Sequence, residues 1–527
     1  MMGFAGRLVA LALVVAVVAS TLGGCAGVGV SEPYPPEARR EYRGGWVATV
    51  GNIDWPSRPG LSVETMRAEM ERILDAAAKM NLNAVFFQVR PSCDAVYASS
   101  LEPWSEFLSG VQGTAPGGGG YDPLAEWIAA SHRRGMELHA WFNPFRARHK
   151  DARSALAATH VARVRPDLVR SYDGQLWLDP GSAEARAMSM EVILDVVRRY
   201  DIDGVHFDDY FYPYPAKGEA FADGALFDSY RAGGGGLSLG DWRRDNINTF
   251  VREVYGRVHE VKPHVRVGIS PFGIWRPGFP AGVKGLDAYE ALYADSVRWL
   301  AAGWVDYLAP QLYWKIDSPQ PYAALLDWWV SCSMRSQRRP ILVGNFTSRL
   351  SAKPDDPKSW SAAEILNQIT LTRERRGSGA MGNIHFSAAA LVQNRRGIAD
   401  ALAQGPYAEA ALPPEMPWIA RGARPSTARV DVPAESDESV VVRWESAGGG
   451  ADTGFRRWVV WTRYGARWTM RVVADGAHAT LARESAAGML DRVAVSEVDG
   501  FGRTGRPGVV RIGRVGTRVG DAAIVEP

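Results

Sequence analysis

Two adjacent carboxylates, Asp208 and Asp209, stand directly after the apolar run 202–207, and aromatic residues and a proline fill positions 210–213. The β-branched and aromatic composition of the run is typical of a strand. Carboxylates at the end of a strand can transfer protons and stabilise charge, and aromatic faces can stack on sugar rings. The segment therefore indicates a carbohydrate-cleaving site, although an acidic turn that closes a strand would share this pattern.

Further polar residues follow other apolar runs of the chain. They are Gln88 and Arg90, Asn143 and Arg146, His206, Gln311 and Tyr313, and His385. Each alone could be a hydrogen-bonded structural group, but their shared position at strand ends is typical of a substrate-binding site. The aromatic lining of this site is predicted to comprise Trp46, Trp141, Tyr210, Tyr212, Trp275 and Trp314. The two arginines are predicted to bind a carboxylate of the substrate through paired hydrogen bonds.

The elements that would position these residues are eight short apolar runs that alternate with segments of helical periodicity. The predicted strands are 46–50, 84–89, 138–142, 204–207, 265–269, 305–312, 341–346 and 384–390. Ser62 and Ser182 are predicted to be the N-caps of two intervening helices. Eight strand–helix repeats within residues 43–405 predict an α/β fold, a (β/α)8 TIM-type barrel. A doubly wound open sheet is the alternative, but no glycine-rich phosphate loop follows the first run.

The chain changes character after a proline-rich linker at 406–420. Short alternating runs separated by Gly, Asp and Ser turns fill residues 421–515 and predict a small all-β sandwich. The 527 residues carry a formal net charge of +2, and we expect no nucleic-acid binding because no basic patch is evident. Cys93 and Cys332 either pair or remain two thiols. We expect a monomer.

The N-terminus has the pattern of an exported lipoprotein. Arg7 precedes an apolar run at 8–19 that is too short to span a membrane, and Leu22-Gly23-Gly24-Cys25 follows. This motif resembles a lipobox, so residues 1–24 are predicted to be a signal peptide, Cys25 the lipidated residue and 25–42 a tether. Ala26 gives no signal for inner-membrane retention. We therefore expect an outer-membrane lipoprotein that faces the periplasm.

Two other chemistries, a metal site and a serine nucleophile, have less support in the sequence. His139, His206 and His385 with Asp208 could hold a metal ion inside a barrel, but the first strand does not end in the His-x-His motif of metal-dependent barrel hydrolases. A serine nucleophile lacks its Gly-x-Ser-x-Gly elbow. We predict neither a metal nor a cofactor.

Long motifs along the barrel resemble the bacterial family-10-like glycosyl hydrolases, which are typically envelope lipoproteins. They include RGGWVATVGNIDWPS, NAVFFQVRPSCDAVYASSLEPWS, HRRGMELHAWFNPFRA, DGVHFDDYFYP, SPFGIWR and YLAPQLYW. The resemblance implies a barrel hydrolase that acts on cell-wall glycan, with peptidoglycan strands lacking stem peptides as the implied substrate. It also implies that Asp208 and Asp209 are the acidic motif of the family. The polar rim of the family's site corresponds to Asn143, Gln311 and Tyr313. The C-terminal segment resembles a fibronectin type III domain.

The mechanism stays open between several schemes. Glycosidases commonly use two acids on separate strands, but the seventh run ends in Asn345 and Phe346. Adjacent acids instead resemble hexosaminidases that use the 2-acetamido group of the substrate. Asp208 would then orient the acetamide and Asp209 would be the acid and base, or the reverse. The alternatives are an inverting hydrolase with a loop base, for which Asp179, Glu219 and Glu102 are candidates, and a non-catalytic glycan-binding scaffold.

Overall fold

The structure of the protein is a computed structural model that describes residues 34–448, 455–474 and 476–513. The predicted signal peptide, Cys25 and the tether before residue 34 lie outside these ranges. Within them, no helix combines the length and apolar composition needed to cross a membrane.

Eight parallel strands close into a barrel in which each strand pairs with its neighbours in chain order. The strands are β1 (Tyr42–Val47), β2 (Ala84–Arg90), β3 (Glu137–Phe142), β4 (Gly204–Phe207), β5 (Arg266–Ile269), β6 (Tyr307–Leu308), β7 (Ile341–Asn345) and β8 (Ala380–His385). The ring is completed because β1 pairs with both β2 and β8. The predicted (β/α)8 barrel is confirmed.

Helices connect the strands and cover the outside of the barrel. They are α1 (Val63–Lys79), α2 (Glu106–Ser109), α3 (Pro123–Arg133), α4 (Val161–Val164), α5 (Ala183–Arg199), α6 (Gly224–Ala232), α7 (Leu239–Val261), α8 (Ala288–Ala291), α9 (Ser296–Ala302), α10 (Tyr322–Met334), α11 (Ala362–Glu374), α12 (Ala388–Val392) and α13 (Ile398–Gln404). Ser62 and Ser182 cap α1 and α5, because their side chains accept hydrogen bonds from the first-turn amides of Thr65 and Ala185. Both predicted caps are confirmed.

Three strands differ from the predicted bounds for identifiable reasons. β1 begins at Tyr42 and β8 at Ala380, earlier than predicted, because glycines inside both strands conceal their pattern. The predicted end of β8 is instead the alanine-rich helix α12. β6 spans two residues, since Pro310 has no N–H for the sheet, and Gln311 rejoins it by bridges to Phe272 and Gly344.

Aromatic rings fill the interior of the barrel, and inward-facing glycines make room for them. A Cβ atom at Gly268 would lie 1.9 Å from the ring of Tyr307, and one at Gly204 would lie 2.3 Å from that of His139. Gly44 faces a third interior ring in the same way. These glycines therefore place large side chains where a barrel more commonly holds branched aliphatic ones.

Two antiparallel sheets form the C-terminal domain. One contains β9 (Arg429–Glu435), β10 (Ser439–Glu445) and β13 (His478–Ala482). The other contains β11 (Arg457–Tyr464), β12 (Arg467–Val473), β14 (Glu484–Ser485), β15 (Gly488–Val498) and β16 (Gly508–Arg511). Two of these eight strands, the charged β9 and the two-residue β14, are not among the short alternating runs expected from the sequence.

The C-terminal domain closes the N-terminal end of the barrel. Arg457 on β11 donates a hydrogen bond of 2.9 Å to Glu137, the first residue of β3. Phe501 belongs to the same apolar cluster as Tyr42 and Trp46 inside the barrel. The opposite end, where the strands reach their carboxyl termini, is left to the loops that carry the predicted site.

Candidate active site

The acid pair lies at the carboxyl end of β4, where the strand gives way to a loop. Gly204 and His206 face the barrel interior, and Asp208 continues this inward face. The loop has begun at Asp209, so its side chain also turns toward the mouth and meets Gln311. Asp208 and Asp209 are 7% and 3% exposed. Burial at this level makes the ionised form of each carboxyl group unfavourable unless nearby donors or cations stabilise it.

Asp208 is surrounded by hydrogen-bond donors. The Asn143 amide nitrogen lies 2.9 and 2.7 Å from its two oxygens. The Trp141 indole N–H donates at 3.2 Å, and the backbone N–H of Tyr210 donates at 3.3 Å. A carboxylate accepts such bonds best when it is ionised, so these donors stabilise the charged form of Asp208.

The Asn143 side chain is held from behind by two further groups. Its oxygen accepts from the Gln88 amide at 2.6 Å and from the Arg146 guanidinium at 3.0 Å. The Gln88 oxygen in turn accepts from the backbone N–H groups of Thr49 and Val50, at 2.9 and 2.8 Å. The sequence predicted that Gln88, Asn143 and Arg146 bind the substrate. In the structure, Asn143 donates to Asp208, and Gln88 and Arg146 hold Asn143 in place.

Asp209 has a different set of partners. The Tyr214 hydroxyl donates a short hydrogen bond to one oxygen. The Gln311 amide nitrogen lies 3.3 Å from the other oxygen and 3.1 Å from the Ser270 carbonyl oxygen, which fixes the orientation of the Gln311 amide. Asp209 therefore has fewer donors than Asp208.

The electrostatics of the two acids follow from these partners. Burial raises the pKa of both carboxyl groups. For Asp209 the neighbouring Asp208 charge adds to burial, and together they raise its pKa to about 7. For Asp208, the Arg146 charge and the Asn143 hydrogen bond oppose burial. Near neutral pH the pair can hold one charge on Asp208 and one proton on Asp209.

Half-buried aromatic rings stand across the mouth from the acid pair, on the loops after β6, β7 and β8. Tyr313 stacks on Phe346 with ring centroids 4.6 Å apart, and Phe386 lies 6.0 Å from Tyr313. Beside the acids, the Arg146 guanidinium lies 5.4 Å from the centre of the Tyr210 ring. These faces can receive a sugar ring next to the carboxyl groups.

Trp314 lies on the same side of the mouth as Tyr313. It is half-buried and meets Phe272, which follows β5, edge to face at 5.7 Å. Trp141 is 5% exposed and reaches the site through its indole N–H.

Arg90 holds the fold and does not face the cleft. It is 1% exposed, pairs with Glu102 at 2.5 Å and donates to the carbonyl oxygens of Asn143 and Pro144. The expectation that Arg90 binds a substrate carboxylate is therefore wrong, because its donors are committed to the loops after β2 and β3.

Other predicted cleft residues are buried elsewhere. Tyr212 is 1% exposed and packs against Phe221 and Tyr293. His385 is fully buried between the hydroxyl groups of Thr347 and Tyr407. Neither side chain is accessible to a substrate, so their predicted roles are corrected.

Three further predicted residues also lie apart from the acids. His206 is fully buried, accepts from the Trp46 indole at 3.1 Å and meets the Tyr307 hydroxyl at 3.0 Å. These bonds place Trp46 and His206 in the barrel interior. Trp275 stacks on Trp328 at 5.9 Å, in a separate aromatic cluster.

The three candidate loop bases also make contacts elsewhere in the fold. Asp179 is buried and pairs with Arg170 at 2.9 Å, and Glu102 pairs with Arg90. Glu219 accepts from the backbone of Asp173. None of these contacts reaches the acid pair. Across residues 34–448, 455–474 and 476–513, no cluster of three or more His, Cys, Asp or Glu side chains could hold a metal ion.

Sequence reasoning missed Tyr214 and the backbone groups of Thr49 and Val50. Tyr214 stood just beyond the segment 210–213, and its spacing of five residues from Asp209 could have indicated a turn that folds back on the acid. The backbone donors left no signal, because any residue other than proline supplies an N–H.

Comparison with known proteins identifies the family of the chain. A family model described as Glycosyl hydrolase-like 10 matches residues 41–362. Glycosyl hydrolase YngK of Bacillus subtilis (strain 168) is 43% identical over 404 residues, covering 74% of this chain and 77% of that protein. Glycosyl hydrolase DigH of Escherichia coli (strain K12) is 35% identical over 329 residues, covering 58% of this chain and 73% of that protein.

Among solved structures, the PgaB (BpsB) glycoside hydrolase domain from Bordetella bronchiseptica aligns with a TM-score of 0.45 at 11% identity. The alignment covers 69% of this chain and 98% of that one. The family match is stronger, because it spans more than half of the chain and includes Gln88, Asn143, both acids and Gln311. The chain belongs to the Glycosyl hydrolase-like 10 family.

Proposed function

We propose that the protein hydrolyses a β-linked amino-sugar glycan of the bacterial cell wall, with Asp208 and Asp209 as its catalytic pair. The observation that carries the proposal is the unequal environment of the two acids. Asp208 accepts from Asn143, Trp141 and a backbone N–H, whereas Asp209 meets Tyr214 and Gln311 and has a pKa of about 7. One ionised and one protonated carboxyl group are what an acid-assisted glycosidase requires near neutral pH.

In the first step the acetamide oxygen of the substrate attacks the anomeric carbon and the glycosidic bond breaks. Asp209 gives its proton to the leaving oxygen, and the Asp208 carboxylate stabilises the positive charge that develops on the acetamide nitrogen. In the second step water attacks the anomeric carbon, the Asp209 carboxylate takes its proton, and the acetamide is released. Asp208 is assigned as the anion because it accepts more hydrogen bonds than Asp209 does.

Substrate binding is assigned to the residues around the mouth. Gln311 and Tyr313 would hydrogen-bond the reacting sugar, and Tyr210 and Trp314 would offer ring faces. Arg146 uses Nε and Nη2 in bonds to Pro91 and Asn143, and its charge lies next to the acid pair.

The substrate class rests on the resemblance to cell-wall hydrolases, with peptidoglycan strands that lack stem peptides as the proposed form. The decisive experiment incubates the protein with purified glycan strands, with and without stem peptides, and measures product masses. Reducing-end fragments that disappear in Asp208→Asn and Asp209→Asn would support hydrolysis. A 1,6-anhydro end would indicate a lytic transglycosylase, and retained binding without any product would indicate a scaffold.

We also propose that Cys25 is lipidated and anchors a monomeric protein to the outer membrane, on the periplasmic side. Changing Cys25 to Ser should release the protein into the soluble periplasmic fraction without altering its activity on isolated glycan. A variant that still sediments with membranes would contradict the anchor.

For the C-terminal domain we propose a fibronectin type III-like sandwich. A sheet of β9, β10 and β13 opposite a sheet of β12, β11, β15 and β16 supports this assignment. Its packing against the N-terminal end of the barrel gives it a structural role, far from the acids.

A further inference from the structure

Gln88, Asn143 and Asp208 form a hydrogen-bonded row across the carboxyl ends of β2, β3 and β4. Gln88 and Asn143 are fully buried, and Asp208 is 7% exposed. Side-chain amides present an oxygen and a nitrogen of similar size, so the direction of each bond has to be derived from the partners.

The backbone fixes that direction. The N–H groups of Thr49 and Val50 can only donate, so the Gln88 atom that faces them at 2.9 and 2.8 Å is the oxygen. The Gln88 nitrogen then faces Asn143 at 2.6 Å and requires an oxygen there. Arg146, which also can only donate, imposes the same orientation at 3.0 Å. The Asn143 nitrogen is therefore turned toward Asp208.

We propose that Gln88 is a positioning residue that acts through Asn143 and keeps the negative charge of the acid pair on Asp208. Gln88 does not touch the substrate. Its consequence for turnover rests on the proposed function, whereas its effect on the charge distribution of the pair rests on the geometry alone.

A reversed Asn143 amide shows what Gln88, together with Arg146, prevents. Its oxygen would face the Asp208 carboxylate, and its nitrogen would face the donors of Gln88 and Arg146. Asp208 would lose the two shortest of its hydrogen bonds, its pKa would rise, and the pKa of Asp209 would fall toward it. The other charged or titratable groups near the pair are Arg146, Tyr210, Tyr214 and Tyr313.

The test is a carbon-13 NMR titration of the Asp carboxyl groups in the full chain, with assignments from Asp208→Asn and Asp209→Asn. In Gln88→Met the pKa values of the two acids should approach each other by about one unit in total. The pH profile of kcat on glycan strands should narrow in parallel. The second variant, Gln88→Glu, keeps the acceptor for Thr49 and Val50 but cannot donate to Asn143 when its carboxyl group is ionised, and in that form it should also bring the two values together.

Two comparisons separate positioning from a general structural effect. In an Asn143→Ala background, Gln88→Met should add no further shift, because the residue through which it acts is gone. The matched control is Gln368→Met, since Gln368 is also fully buried and accepts from a buried asparagine, Asn345, at 2.9 Å, away from the acids. It should leave both carboxyl pKa values unchanged.

Unchanged pKa values in a folded Gln88→Met variant, or in Gln88→Glu with its new carboxyl group ionised, would overturn the proposal, and so would a full additional shift in the Asn143→Ala background. The titration does not need activity. Shifted pKa values in a protein that cleaves no glycan would therefore uphold the role of Gln88 and reject the proposed function.

Discussion

Each end of the barrel has buried carboxyl groups, but their surroundings favour opposite protonation states. At the mouth, each acid has the other carboxyl group and neutral hydrogen-bond donors as neighbours. Arg146 is the cation whose charge acts on Asp208. At the N-terminal end, Glu137 lies 3.1 Å from Arg266 and 2.9 Å from Arg457, and accepts from the Tyr42 hydroxyl at 3.0 Å.

The protonation of the two ends differs accordingly. Burial alone would raise the pKa of Glu137, but the guanidinium groups of Arg266 and Arg457 hold it well below the usual range. At the mouth, burial is reinforced by the like charge of Asp208, and the pKa of Asp209 rises. The comparison teaches that burial does not decide whether a carboxyl group is charged. The number of nearby cations decides whether the group is charged. It therefore separates a structural carboxylate from a carboxyl group that can donate a proton.

The largest effect should come from the mouth. Asp209→Asn should reduce turnover on purified glycan strands by about 10³-fold, because the amide cannot give up a proton to the leaving oxygen. The variant should fold normally, since the amide is close in size and shape to the protonated carboxyl group that it replaces. Steady-state kinetics and thermal unfolding on the same sample check both statements. Turnover near that of the wild type would remove Asp209 from the mechanism.

The next largest effect should come from the other end. Glu137→Gln should lower the free energy of unfolding by about 3–5 kcal/mol, because Arg266 and Arg457 would remain buried without their anion. The control is Glu445→Gln, whose ion pair with Arg429 is exposed on both sides and should contribute at most about 1 kcal/mol. Denaturant titration measures both. Equal losses would mean that burial of the Glu137 pair adds nothing.

The sequence allowed the chemistry of the mouth to be predicted better than that of the opposite end. Asp208 and Asp209 follow a recognisable strand, so their position at a barrel rim could be inferred from local pattern. The partner of Glu137 lies 320 residues away in another domain, and no local pattern joins Glu137 to Arg457. Contacts between distant segments are set by tertiary packing, which composition and periodicity do not encode.

The same limit explains the errors around the site. Arg90 stands at a strand end like Arg146, but the loop after β2 folds Glu102 back onto it. Tyr212 belongs to an aromatic segment that looked like a sugar platform, but its ring turns into the core against Phe221 and Tyr293. In both cases the residue type was compatible with binding, and the course of a long loop decided otherwise.

The pH dependence of stability offers a smaller effect and sharpens the comparison. The pKa of Asp209 is higher in the folded protein, at about 7, than the value near 3.9 of an unfolded chain. Its stabilising contribution is therefore fully present below about pH 4 and is lost as the pH rises through 7. Glu137 behaves oppositely, and its contribution is lost as the pH falls below about 4.3.

Asp209→Asn should accordingly gain stability relative to the wild type as the pH rises from about 4 to about 7. The stability deficit of Glu137→Gln should disappear at low pH. Thermal unfolding of the three proteins at a series of pH values measures both trends. Parallel stability curves for Asp209→Asn and the wild type would show that folding does not raise the pKa of Asp209.

The smallest expected effect concerns Tyr214, whose hydroxyl donates to Asp209 and thereby favours the ionised form. Tyr214→Phe should raise the pKa of Asp209, move the alkaline limb of the activity profile to higher pH, and reduce kcat by about tenfold. The control is Tyr172→Phe, because the Tyr172 hydroxyl binds the backbone N–H of Ala216 on the same loop and does not contact the acid. That variant should keep the alkaline limb in place. If both variants moved it equally, the loop as a whole would set the protonation of Asp209, and the Tyr214 hydrogen bond would have no specific part in it.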